Sequence, residues 1–242
     1  MDTALYVGLS RQMTLQRALD IAANNIANAD TAGFKVEQLL LEEEPLTPPT
    51  FGAAPVSYVI DNGVARDFGQ GEMESTGNAF DLAVEGAGFF TVQTPSGNLF
   101  TRDGRFTTDS QNRLVTHAGD PVLSTGGSPI TLDPTKPAPK VAQDGTISQG
   151  AASLGRVGVA RFPDLSVLKK AGDTTFSAPD GASVAANDAI IRQGMVEHSN
   201  VQPVLEITHL IEITRAYERV AKMMEANQSM TSTAIQRLGQ VS

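Results

Sequence analysis

The sequence contains no cysteine and no tryptophan, and aromatic residues make up only 5% of it. Without cysteine there are no disulfides and no thiolate zinc sites, and bridges cannot report the redox compartment. No apolar run reaches the ~18 residues of a membrane-spanning helix, so direct membrane insertion is not expected. The N-terminus, with Asp2, Arg11, Arg17 and Asp20, lacks the apolar stretch of a cleavable signal peptide. A route out of the cytoplasm would have to be a different one. Positive charge is scarce as well: 18 Lys and Arg stand against 27 Asp and Glu, a net charge of −9. Nucleic acid and anionic membrane surfaces need clustered cations, so neither is an expected partner.

The negative charge is unevenly spread. Residues 1–35 hold three basic and three acidic side chains, and residues 195–242 hold four and five. The remaining 11 basic and 19 acidic residues lie between them, so the middle is acidic and the ends are close to neutral. Neutral ends can crowd together without mutual repulsion.

Catalytic and cofactor patterns are also missing. His117, His198 and His209 have no partner at metal-ligand spacing. No phosphate loop occurs, and Gly86-Ala87-Gly88 runs into Phe89-Phe90 rather than completing a dinucleotide fingerprint. Asp81 and Glu85 would stand ~13 Å apart on one face of a strand, too far for the ~5–9.5 Å of glycosidic chemistry. Asp103 and Asp109 fall in turn contexts, where they satisfy backbone donors. No nucleophile elbow is present. The expectation is a protein that is not an enzyme and has no cofactor, metal or catalytic residue. A β-domain glycan-binding or hydrolytic protein with a helical anchor is the alternative from another functional class.

What is present is a pair of apolar stripes at the two ends. Leu5, Leu9, Gln12, Gln16, Leu19, Ala23 and Ile26 step by four and three residues along one helical face. Ile207, Leu210, Thr214, Tyr217, Ala221, Met224, Gln228, Thr231, Ile235 and Leu238 do the same, with no Gly or Pro between Pro203 and Gly239. The spacing predicts a first helix from Thr3, as N-cap, to about Ala29, with Gly8 as a weak point, and a second from Pro203 to Leu238, capped by Asn200 or Gln202. The helices can pair within one chain or complete their seams with other subunits. Thr214, Gln228 and Thr231 make the second a weak core by itself, so the ends are expected to order fully only on assembly.

Between the stripes the 22 Gly and 13 Pro suit short strands and turns. Residues 36–50, with the acid triplet Glu42 to Glu44 and Pro45, Pro48 and Pro49, read as an extended, solvated connector. Val56–Ile60 and Val64–Phe68 flank Asn62-Gly63, which predicts a type I′ hairpin. Strands are expected over 80–84, 89–93, 99–102, 105–107, 114–116 and 157–162. The predicted fold is α+β: N- and C-terminal helices packed as a coiled-coil helical domain, with a central antiparallel β-rich domain. The divisions are 1–34 (first helix), 35–78 (connector with hairpin), 79–193 (β domain) and 194–242 (connector and long helix).

Three stretches carry a resemblance. They are Ala22-Ala23-Asn24-Asn25-Ile26-Ala27-Asn28-Ala29-Asp30-Thr31-Ala32-Gly33-Phe34-Lys35; Asp81-Leu82-Ala83-Val84-Glu85-Gly86-Ala87-Gly88-Phe89-Phe90 with Thr101-Arg102-Asp103-Gly104-Arg105-Phe106; and Gly194-Met195-Val196-Glu197-His198-Ser199-Asn200-Val201 leading into Arg215-Ala216-Tyr217-Glu218. Together they are similar to the signatures of bacterial flagellar rod and hook proteins. The length and the opening Met1-Asp2-Thr3-Ala4-Leu5-Tyr6 resemble proximal-rod members more than distal-rod or hook members.

The resemblance implies a non-enzymatic axial subunit whose terminal helices line a helical tube with the β domain outside. It implies partners that are copies of the chain and other rod proteins, and export through the flagellar type III apparatus without a cleaved signal. The rod would span the periplasm, transmit torque and let export substrates pass. The subunit interface would use Leu5, Leu9, Leu19, Ile26, Ile207, Leu210, Tyr217, Met224, Ile235 and Leu238. Asn24, Asn25, Asn28, Gly33, Phe34, Ser199, Asn200 and Val201 are the motif residues, with the asparagines bonding backbone or neighbouring side chains and Gly33 redirecting the chain.

Overall fold

The structure, a computed structural model, describes residues 2–46, 56–172, 174–186 and 188–239. Among them are two long helices, α1 (Asp2–Ala27) and α2 (Pro203–Gly239), and a β-rich region between. Thr3 therefore lies inside α1 rather than capping it, because Asp2 already occupies the first turn, where an acid suits the positive end of the helix dipole. At α2, Pro203 supplies the preset φ of a first residue, Glu206 sits in the first turn and Arg237 in the last. Asn200 is not its cap: the Asn200 Oδ1 accepts the Val36 N–H at 2.8 Å.

The chain divides into two compact units. The first comprises the residues up to 27, residues 37–67 and those from 202 onward. Here α1 and α2 pack against each other, and α1 also contacts the antiparallel pair β1 (Glu37–Leu46) and β2 (Val56–Arg66). Two expectations are overturned. Residues 37–46 are a paired strand rather than an unpaired connector, with Glu42, Glu43 and Glu44 in register with Ile60, Val59 and Tyr58. Asn62-Gly63 is no hairpin turn either. The register runs from Leu39 opposite Val64 to Leu41 opposite Asp61, so two residues face Leu40 in a β-bulge, with Gly63 at φ 106°. Both structures need a positive φ, and so the same dipeptide serves either. Pro48 and Pro49 lie outside the described residues.

The second unit comprises residues 28–36 and 68–201. Its largest sheet is antiparallel with six strands, in the order Lys169–Lys170, Thr175–Ser177, Gly97–Thr101, Phe89–Thr94, Val159–Arg161, Val184–Ala185. The strand Phe89–Thr94 explains why this sheet buries both faces. Alternating side chains send Phe89 to one side, against Phe162 and Phe176, and Phe90 to the other, against Phe106. Ring centroids 4.8–6.0 Å apart at steep angles give edge-to-face contacts on both sides. The unit also holds a three-stranded sheet, in the order Ala152–Arg156, Thr146–Gln149, Lys140–Val141, and short pairs that include Met195–Glu197 on Met73–Ser75 and Ile190–Gln193 on Leu82–Glu85. The fold is thus α+β, with terminal helices and a central antiparallel β-rich region.

Candidate assembly site

Burial along the two helices selects a different row from the one the sequence stripes select. In α1 the buried positions are Gly8, Thr14, Leu15, Ala22 and Asn25. Most of these are small or short, and such residues let two helices approach closely. A Cβ on Gly8 would come within 2.9 Å of the Met224 Cγ, so the glycine that weakens α1 as an isolated helix makes room for α2. The Gln12 Nε2 donates to the Tyr217 hydroxyl at 2.8 Å across the same pair.

In α2 the shielded row runs Glu206, Leu210, Ile213, Tyr217, Val220, Met224, Asn227, Thr231, alternating four and three residues. The stripe expected from sequence shares Leu210, Tyr217, Met224 and Thr231 with it. Of its other members, Ile207, at 48% exposure, and Gln228 are exposed, whereas Thr214 and Ala221 are half-buried. In α1, Leu19 and Ile26 are half-buried, whereas Leu5 and Leu9 are exposed. The side chains of Ile235 and Leu238 lie outside the described residues.

The internal seam nevertheless leaves many large apolar residues outside. Leu5, Tyr6, Leu9 and Met13 are 42–66% exposed on α1, as are Val204, Leu205, Ile207, Ile211, Met223 and Met230, at 45–77%, on α2. Apolar surface on this scale marks a docking face rather than a finished exterior.

The motif residues build the ends of these elements. Asn25, 1% exposed, places its side-chain amide against the Glu37 backbone, donating to the carbonyl at 2.8 Å and accepting the N–H at 3.0 Å. It also donates to the Glu206 carboxylate at 3.1 Å, and Arg66 Nε holds the Glu37 carboxylate at 2.9 Å. One amide thus fastens α1 to β1 and α2, which needs both a donor and an acceptor. Asn24 is exposed. Within the second unit, Thr31 donates to the Asn28 Oδ1 at 3.1 Å, and Gly33, at φ 71°, donates its N–H to the Glu197 carbonyl at 2.8 Å. Phe34 and Val201 are buried with Val36 and Ala29, and the Ser199 hydroxyl accepts the Val201 N–H at 3.2 Å.

One cluster escaped the sequence reading. The Glu197 carboxylate, fully buried, accepts Lys35 Nζ at 2.5 Å on one oxygen and Arg102 Nη1 at 3.0 Å on the other. Lys35 also donates to the Gly69 carbonyl, and Arg102 to the carbonyls of Val84 and Gly86. Burial pulls the Arg102 pKa below the ordinary guanidinium value, and Glu197 opposes that shift. Each of the three quoted motif stretches contributes one member. A charge wedged between apolar neighbours, as in Phe34-Lys35-Val36, was the available signal.

The residues weighed for chemistry have partners elsewhere. Asp81 accepts from the Thr76 hydroxyl at 2.6 Å and from the Asn78 amide at 3.0 Å, and Glu85 pairs with Arg192 at 2.7 Å. Asp103 and Asp109 bind Arg105 and Arg113 at their turns. His117 contacts the Arg105 carbonyl, His198 contacts Glu74, and His209 lies 3.8 Å from Glu206. Among the described residues no group of His, Cys, Asp or Glu is arranged to hold a metal ion.

Comparison with known proteins follows the same three stretches. The family model described as "Flagella basal body rod protein" matches residues 5–35, "Flagellar hook protein FlgE/F/G D1 domain" matches 83–149, and "Flagellar basal body rod FlgEFG protein C-terminal" matches 192–237. The flagellar basal-body rod protein FlgF of Caulobacter vibrioides is 54% identical, with 100% of each chain covered. The chain belongs to the FlgF family of flagellar basal-body rod proteins. FlgF of Mesorhizobium japonicum is 38% identical over 99% of each chain. FlgG of Bacillus subtilis is 28% identical over 91% of this chain and 93% of its own, so the distal-rod alternative fits less well than FlgF. As a FlgF-family member the chain is a structural subunit of the flagellar basal-body rod, and its location is the flagellar basal body.

Proposed function

We propose that the chain polymerises through its terminal helices into a tubular rod that transmits torque and lets export substrates pass along its axis. The observation that carries this reading is the row of large apolar side chains left outside the α1–α2 seam, which neighbouring subunits would cover in coiled-coil fashion. Its partners are copies of the chain and other rod proteins, with proximal rather than distal position in the rod. The flagellar type III apparatus exports it without removal of a signal, and the assembled rod spans the periplasm. It has no catalytic role. The residues up to 27 and those from 202 onward supply the polymerising helices, with the strand pair of 37–67 in the same unit, and 28–36 with 68–201 supply the β domain. The interface uses Leu5, Leu9 and Ile207 directly, while Leu210, Tyr217 and Met224 act from the half-buried seam.

The test is Leu9→Asp combined with Ile207→Asp. Both side chains are about half exposed in the single chain, so the monomer should keep its circular dichroism and unfolding midpoint. Buried without a partner in an assembled rod, each carboxylate would cost several kcal/mol. Cells carrying the double variant should be non-motile, with the chain missing from purified basal bodies. Wild-type incorporation and motility would refute the reading.

A further inference from the structure

Within the helical unit, a cavity of about 380 Å³ opens between α1, the start of β1 and the start of α2. Ile21, Leu39 and Ile213 supply apolar wall, and Glu206, His209 and Glu212 supply polar wall, with no Lys or Arg in the lining among the described residues. Glu206 is only 9% exposed. Its Oε2 accepts from the Asn25 amide at 3.1 Å, whereas its Oε1, open to the cavity, receives no hydrogen bond among the described residues. His209 Nδ1 stands 3.8 Å from that oxygen, beyond hydrogen-bond range. A carboxylate oxygen mostly shielded from water and lacking a donor attracts a cation strongly, and the apolar walls suit the stem that carries one.

The complementary surface lies on the outward side of α2. Ile207, Ile211, Arg215, Arg219 and Met223, each four residues from the next, form one exposed ridge along the helix. Arg215 and Arg219 make no ion pair or hydrogen bond among the described residues. The ridge thus carries unpaired cations flanked by apolar side chains, where the cavity carries a carboxylate flanked by apolar wall. Because ridge and cavity wall share one rigid helix, no chain can fill its own cavity with its own ridge.

We propose that the ridge of a second copy of this chain packs into this cavity, with its Arg215 guanidinium on the Glu206 Oε1 and its Ile211, one turn earlier, against Ile21 and Ile213. The volume falls at the small end of the ~300–1,000 Å³ of ligand pockets, which admits a long cationic side chain and an apolar neighbour but not a whole helix. Charge complementarity sets the register in which the ridge enters. The contact is heterologous: each added copy fills one cavity and brings another, so assembly continues instead of closing as a dimer. It rests on the polymerisation reading and names the side chains that meet.

The experiment exploits the absence of cysteine, which makes introduced thiols the only ones in the chain. Two full-length chains with different tags, Gln38→Cys at the cavity wall and Arg219→Cys on the ridge, both at exposed positions, are produced together in cells lacking the parent chain. Purified basal bodies are then treated with a short bismaleimide. A dimer carrying both tags should form in excess of either same-tag dimer. Arg215→Met, placed in the Arg219→Cys chain, should lower the mixed dimer about tenfold at equal chain content, and Arg215→Lys should retain more of it. Basal bodies that hold both chains but yield no mixed dimer, same-tag dimers as abundant as the mixed one, or undiminished crosslinking of the Arg215→Met chain would overturn this contact. Those results leave polymerisation itself standing, which fails instead if the Leu9→Asp, Ile207→Asp chain is incorporated normally.

Discussion

Glu197 offers the sharpest test of what holds the β-rich unit together. Glu197→Gln keeps the shape and one acceptor but removes the carboxylate that Lys35 and Arg102 share. The side chains of Lys35, Glu197 and Arg102 are 0%, 0% and 4% exposed, so water cannot replace the lost charge. Breaking a buried ion pair by deleting one partner costs about 3–5 kcal/mol, and here two cations lose the same partner. The upper half of that range, about 4 kcal/mol, is the expected loss, equivalent to roughly 10–15 °C for a domain of this size. Differential scanning calorimetry of the full chain should show the transition of this unit move down by that amount. The combination Lys35→Met with Glu197→Gln removes one stranded cation and should be more stable than the sum of the single effects, by about 1 kcal/mol or more. A Glu197→Gln protein that melts within about 1 kcal/mol of the parent would refute the reasoning, because it would mean the three groups are solvated in solution.

Two further outcomes follow from local geometry. Gly33→Ala should destabilise the β-rich unit severely, by more than about 3 kcal/mol, because the new Cβ meets the Asp103 backbone N at 2.3 Å at a residue held at φ 71°, and a soluble, normally melting variant would contradict this. Acid should act through the turn aspartates. Asp109 lies below its ordinary value of 3.8, chiefly through the Arg113 backbone N–H, and Asp144 through that of Thr146. The Thr135 and Ser166 side chains are the leading cause at Asp133 and Asp164. These native carboxylates hold protons more weakly than unfolded ones, so their contribution is complete above pH 3.8 and fades as pH falls through the lower native values. Urea midpoints measured from pH 6 to pH 2 should drop mainly below that point, and a drop centred above pH 5 would implicate other groups.

The helices were legible because a 3.6-residue period repeats over many turns, and α2 begins at Pro203 as the sequence implied. The face that each helix buries was less legible. Apolar periodicity marks where large side chains lie, whereas the close approach of α1 to α2 is made at Gly8, against Met224. Asn62-Gly63 misled for a different reason, since a bulge and a turn ask for the same backbone freedom. Strands such as Met195–Glu197 and Ile190–Gln193 were missed because their partners lie more than a hundred residues away and each is too short to show alternation. Of the assembly site, the Asn25 junction was foreshadowed by the asparagine-rich motif. The charge cluster was not, because Lys35, Arg102 and Glu197 acquire meaning only when brought together.

The pairing of Lys35 with Glu197, 162 residues apart, also bears on the order of folding. The β-rich unit takes residues 28–36 from one end of the chain and its last strand, Met195–Glu197, from near the other. Its buried cations find their carboxylate only when that strand has arrived. A chain made N-terminus first therefore carries an unfinished unit until about four-fifths of its length is available, and pairings across more than a hundred residues, such as Met195–Glu197 on Met73–Ser75, are slow to close. Arrival of that one strand thus completes the buried charge cluster and the pairing with Met73–Ser75 together, so the last residues of the unit are also the ones that close it.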